Sequence, residues 1–165
     1  MGELKRLSAE GIEPALEKVE RYRLLNEPWE AESICRDVLA ADPRNQRALI
    51  GLVLSLTDQF SRHGAPGADE VRRLLDGLDG EYQRAYYAGI ICERQAKAQL
   101  ARGNPGAGYA AHSSLRQAME HYEEAERLAA AADDSALLRW NTCARMIDRF
   151  EHVRPPPEEP PTMLE

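Results

Sequence analysis

The chain has 165 residues, a formal charge of −7 and a sequence pI near 5.2. Its length suits one domain with a core that needs no staples. The acidic balance speaks against general nucleic-acid binding, which requires clustered Lys and Arg, and against docking on anionic membranes. Alanine and leucine dominate while β-branched and aromatic clusters are scarce, so helix is favoured over strand.

In chain order, residues 3–10 read as a short turn with Leu4 and Leu7 on one side. Pro14 suits a first helical turn, and Ala15, Leu16, Val19, Tyr22 and Leu25 follow at helical spacing. Asn26-Glu27-Pro28 breaks this helix and starts a second, whose face is Trp29, Ala31, Ile34, Cys35, Val38 and Leu39. Pro43 ends it. Asn45 is a natural N-cap for a third helix to about Phe60, with Ala48, Leu49, Leu52, Val53 and Leu56 inward. Ser61 to Gly67 is a loop by its Gly and Pro content.

A short helix with Val71, Leu74, Leu75 and Leu78 inward comes next. A longer one runs from about Tyr82 to Arg102, striped by Ala85, Ala88, Gly89, Cys92, Ala96 and Leu100. Gly103 to Gly108 is a stop. A helix from near Ala111 to Ala132 places Leu115, Ala118, Tyr122, Ala125 and Leu128 inward. Asp133-Asp134-Ser135 caps a last helix to Phe150 or His152, carrying Leu137, Trp140, Ala144, Ile147 and Phe150. This makes about seven helices and no strand, an all-α chain whose short connections predict antiparallel neighbours. The domain expectation is a helical body over 1–152 and a proline-rich, disordered or polyproline-like tail over 153–165.

Residues 12–45 resemble the 34-residue tetratricopeptide repeat, with Tyr22, Ala31 and Pro43 at the family's spacings. A second unit begins at Gln46, with Gly80 where the proline would stand, and a third near Tyr82, where Ala118, Tyr122 and Ala125 match the pattern of a second helix. The resemblance implies a short α-solenoid of helix-turn-helix repeats closed by a C-terminal capping helix. It also implies that the first helix of each unit lines a concave, partner-binding side. Glu13, Glu17, Glu20 and Arg23 then come from unit one, Arg47, Ile50, Leu54 and Asp58 from unit two, and Gln83, Tyr86, Tyr87, Ile90 and Arg94 from unit three. Leu16, Glu20 and Gly51 stand where some relatives carry a Lys/Asn carboxylate clamp, so a basic or apolar ligand is expected rather than an acidic one.

Chemistry finds little purchase in the sequence. His63, His112, His121 and His152 form no H-x-x-x-H or Glu-x-x-His step. His121 beside Glu120 and Glu124 reads as a solvated charged face before it reads as a metal site. Gly103 to Gly108 has no preceding strand and no Gly-Lys-Ser/Thr, and Ser113-Ser114 suits a helix N-terminus rather than a nucleophile elbow. Cys35, Cys92 and Cys143 lie far apart without a CxxC pair and read as buried structural thiols in a reducing interior.

The N-terminal residues lack an apolar signal segment and no run nears the roughly 18 residues of a membrane span, so a cytoplasmic protein is expected. Thr162-Met163-Leu164 reads as an end anchor for a partner, and Leu164-Glu165 also reads as a cloning remnant. The expectation is a non-catalytic adaptor or scaffold, without cofactor or metal, that binds a protein or peptide and has a chaperone-like role for a client. The competing readings are a helical-bundle enzyme or metal-binding protein, and a self-associating, homo-oligomeric subunit.

Overall fold

A computed structural model of the protein describes residues 2–159. Seven α-helices make up the described residues, which contain no strand: α1 (Ile12–Leu24), α2 (Pro28–Ala41), α3 (Gln46–Thr57), α4 (Ala68–Arg72), α5 (Glu81–Arg102), α6 (Ala107–Leu128) and α7 (Ser135–Arg149). A 3-10 turn, Ala9–Gly11, precedes α1, and another, Arg73–Gly77, extends α4. No helix among the described residues is long and apolar enough to cross a membrane. Thr162-Met163-Leu164 and the end of the proline-rich segment lie outside the described residues.

Local chemistry sets the boundaries. Pro28 sits in the first turn of α2, where its missing N–H costs no hydrogen bond. The Ala48 N–H donates to the Asn45 side chain at 2.9 Å, making Asn45 the N-cap of α3. Gly103 and Gly106 both adopt left-handed φ, +64° and +79°, and turn the chain sharply between α5 and α6. This turn starts α6 four residues before the expected Ala111, and the extended Ala129 ends it before Ala132. Ser113 and Ser114 therefore lie inside α6; the Ser114 hydroxyl donates to Gln99 Oε1 at 3.0 Å. The N–H and the hydroxyl of Ser135 both donate to Asp133 ahead of α7.

Consecutive helices pack against each other: α1 on α2, α2 on α3, α5 on α6 and α6 on α7. The α5–α6 pair is antiparallel, because Gln99 meets Ser114 while Glu93 meets Tyr122. By contrast α1 and α3 run parallel, since Glu13 reaches Arg47 near their starts and Arg23 reaches Asp58 near their ends. Arg94 contacts Thr57 and Asp58, and Arg102 further along α5 donates to the Phe60 carbonyl beyond α3, so α5 runs in the same sense.

One core region centres on α3, including Val19, Ala31, Cys35, Leu52, Val53, Leu56 and Ile91. Another fills the space around α6 with Ile90, Cys92, Leu115, Ala118, Tyr122 and Cys143. Close approach in the first needs Gly51, where a Cβ would fall 2.9 Å from Cys35 Sγ. After α7 the chain turns back and buries Val153, with the His152 carbonyl against Gly108 of α6.

Several faces differ from the expected ones. The buried stripe of α2 is Ala31, Cys35 and Val38; Trp29, two residues and about 200° from Ala31, is 66% exposed. In α7 the deepest residues are Ala136 and Cys143, one position before the expected Leu137 and Ala144, which are half-buried. Leu25, Leu128 and Phe150 are exposed near helix ends. Residues 3–8 form no helical turn, and Leu4 is exposed.

Two tests follow from this packing. Ala31→Leu should overfill the α2–α3 contact and cost about 1–3 kcal/mol in chemical denaturation, whereas Trp29→Ala should stay within about 0.5 kcal/mol. Burial pushes the thiols of Cys35 and Cys143 up to about 12, and Cys92 is buried as well. A thiol reagent at pH 8 should therefore titrate no cysteine rapidly in the native protein and all three after unfolding.

Candidate functional site

The parallel pair α1 and α3 leaves a groove of about 640 Å³ between them, with α5 at its side. Leu16, Val19, Ile50, Gly51 and Leu54 form its apolar floor, and Tyr87 closes one wall. Leu24 stands on the rim, 89% exposed, together with Asn26 of the α1–α2 turn, while the buried Pro28 at the start of α2 lines the groove beneath them. Glu20, Arg23, Arg47 and Asp58 supply charge around the floor.

Seven residues expected on a partner-binding face meet here: Glu20, Arg23, Arg47, Ile50, Leu54, Asp58 and Tyr87. Arg94 joins them from below. Its Nη1 donates to the Leu54 carbonyl at 3.0 Å, to Thr57 Oγ1 at 2.7 Å and to Asp58 Oδ1 at 2.6 Å. Arg23 Nε donates to the other Asp58 oxygen at 2.7 Å, so one carboxylate bridges two guanidinium groups. Burial lowers the Arg94 pKa, with Asp58 opposing and Arg23 and Arg139 adding to the effect.

The remaining five lie elsewhere, Glu13 and Glu17 being exposed on α1 outside the groove lining. Ile90 is a correction: it is buried to 2% in the core beside α6 rather than on the groove surface. Neighbours cover α5 on two sides, and successive residues Ile90 and Ile91 each fill a different core region. Tyr86 and Tyr87 are both half-buried. Tyr86 turns away from the groove, stacks on Tyr82 at 5.8 Å and meets the Tyr122 ring at 5.9 Å. Gln83 is exposed near the start of α5, outside the groove lining.

Leu24 was not among the expected site residues, because the sequence pattern marked Leu25 as the last inward position of α1. Its signal was a second leucine beyond the buried stripe, at the end of an otherwise polar helix face. Glu93 was also missed. It is wholly buried and accepts from Tyr122 Oη at 2.6 Å, Lys97 Nζ at 2.7 Å and Arg139 Nη1 at 3.3 Å. The legible hint was the Glu93–Lys97 step of four residues on a helix otherwise striped with alanine.

Gly89 makes room for this network. A Cβ there would fall 2.5 Å from the Tyr122 ring. Burial and the Glu93 charge raise the Tyr122 pKa, so the phenol stays a neutral donor. Burial alone would raise the Glu93 pKa, but hydrogen bonds from Lys97 and Tyr122 and the charges of Lys97 and Arg139 bring it below the ordinary value.

His121 is half-buried and its pKa is lowered by burial and by Arg72, against Glu120. Among the described residues no group of three His, Cys, Asp or Glu side chains is placed to hold a metal ion. Comparison with protein-family models, curated proteins and solved structures finds no match to the chain.

The depressed Glu93 pKa gives a signed pH dependence. Its contribution to stability is fully present above the unfolded value of 4.5 and is lost as pH falls through the lower folded value. Wild type should therefore lose more denaturation free energy than Glu93→Gln between pH 6 and pH 3. Equal losses would remove Glu93 from the acid response. Tyr122→Phe should cost about 1–3 kcal/mol at pH 7 in the same assay, by deleting a buried donor to a charge.

Proposed function

We propose that this chain is a non-catalytic adaptor of tetratricopeptide-like build that captures a peptide or helix of a partner protein in the α1–α3 groove. The observation that carries the reading is the groove itself: an open apolar floor of Leu16, Val19, Ile50 and Leu54, rimmed by charge and walled by Tyr87. A surface of that kind suits the apolar face of an amphipathic segment, and tyrosine is a frequent anchor at such interfaces. The repeat build draws support from the parallel setting of α1 and α3. Their ion pairs join residues 34 and 35 positions apart, Glu13 with Arg47 and Arg23 with Asp58. A spacing of this size is the step of a 34-residue repeat. A chaperone-like holding of an apolar client segment is the form of capture that an apolar floor favours.

The test exploits Leu24, which is exposed enough to be replaced without disturbing the core. The chain and its Leu24→Glu/Ile50→Lys variant would be used for affinity capture from an extract of the source cells. A dominant protein partner should be retained by wild type and reduced roughly tenfold or more by the variant, a loss of about 1.4 kcal/mol. Circular dichroism should show unchanged helicity. Deleting residues 154–165 should leave capture intact. A partner held equally by wild type and variant would overturn the groove reading.

A further inference from the structure

The groove is electrically polarised along its length. At the end where α1 and α3 begin, Glu13 and Glu20 approach a single cation, Arg47, and Glu17 shares their face of α1 at helical spacing. Arg47 is 2.6 Å from Glu13 and 3.9 Å from Glu20, which leaves two carboxylates in excess. All three glutamates are exposed.

The opposite end reverses the sign. Asp58 lines both the groove and an adjoining recess of about 360 Å³ that also contains Arg94, Lys97 and Arg139. Together with Arg23, these four cations answer to only two carboxylates, Asp58 and the wholly buried Glu93. Two positive charges are thus in excess within a chain of net charge −7. All three protein contacts of Arg94 fall on Nη1, and Thr57 and Ser61 add hydroxyls to the same recess. At about 1.5 Å per residue, the helix from Arg47 to Asp58 separates the two ends by roughly 16 Å, the length of three helical turns.

We propose that the groove takes an amphipathic partner helix with oppositely charged ends, acidic at its N-terminal turn and basic at its C-terminal turn. The acidic turn meets Arg94, Lys97 and Arg139, the apolar face covers Ile50 and Leu54, and the basic turn meets Glu13, Glu17 and Glu20. Helices with acids in the first turn and bases in the last are favoured by their own macrodipole. The occupant therefore runs antiparallel to α1 and α3. This inference rests on the groove being the binding surface and adds the chemistry and direction of what fills it. It also revises the ligand expected from the missing clamp, since one end of the groove suits carboxylates.

The experiment uses two synthetic amphipathic helices of about 14 residues with one shared leucine face, roughly four turns. One carries glutamates in its first turn and lysines in its last; the other has glutamines at all those positions. Fluorescence anisotropy should show both binding the full-length chain, the charged peptide roughly tenfold tighter at low salt, with the advantage lost in high salt. In the exposed double variant Glu17→Lys/Glu20→Lys the charged peptide should bind no tighter than the neutral one. A nitroxide on the peptide's acidic end should broaden the signals of Lys97 and spare those of Glu13. Equal affinity of the two peptides for wild type, an undiminished advantage in the variant, or broadening at Glu13 would overturn the polarity while the groove reading stands. Failure of both peptides to bind would overturn the groove reading as well.

Discussion

One buried carboxylate ties the C-terminal half together. Glu93 of α5 has no exposure to solvent, and its three partners come from its own helix, from α6 and from α7. A buried charge is costly unless it is paired and fully hydrogen-bonded, so Lys97, Tyr122 and Arg139 must all hold their positions at once. Tyr122 can reach Glu93 only because Gly89 leaves the space its ring occupies. The register between α5 and α6, and the placement of α7 across them, are thereby constrained together. The apolar packing around Leu115, Ala118 and Cys143 is non-directional and would tolerate sliding more readily.

The same network shapes the candidate site from behind. Lys97 and Arg139 are held at the groove's end because Glu93 holds them. Arg94, one residue on, turns to the Asp58 carboxylate and to the end of α3. A carboxylate in the core and a carboxylate at the surface thus organise four cations between them. Charge of this kind contributes little to stability where it is exposed, yet it can orient a ligand and speed its capture. The apolar floor between the charged ends supplies the non-directional part of the attraction.

Much of the helical framework was legible in the sequence because its signals are local. The apolar spacing of α1 to α3, Pro28 in the first turn of α2, the Asn45 cap and the glycine turn after α5 all act within a few residues. The faces were less legible. Trp29 has the composition of a core residue, but helix geometry points it away from the stripe that α1 and α3 cover. Ile90 lies on the same side of α5 as Tyr87 and Arg94, yet α6 covers it. The first turn of α6 was hidden because Gly108 between Ala107 and Tyr109 reads as a continuation of the glycine-rich stop, and the left-handed glycine before them sets the start.

By itself the sequence determined an all-helical chain, the order and approximate limits of its helices, and most of the residues around one groove. Periodicity and stop signals suffice for these, since a helix forms and ends through contacts within about a turn. Tertiary structure alone decided the rest: the parallel setting of α1 and α3, the burial of Ile90 and Glu93, and the exposure of Leu24 and Trp29. It also decided the gathering of Arg23, Arg94, Lys97 and Arg139 at one end of the groove. Those cations come from three different helices, and only packing brings residues so distant in the chain within reach of two carboxylates. Their charge appears in the composition, but its direction along the groove exists only after folding.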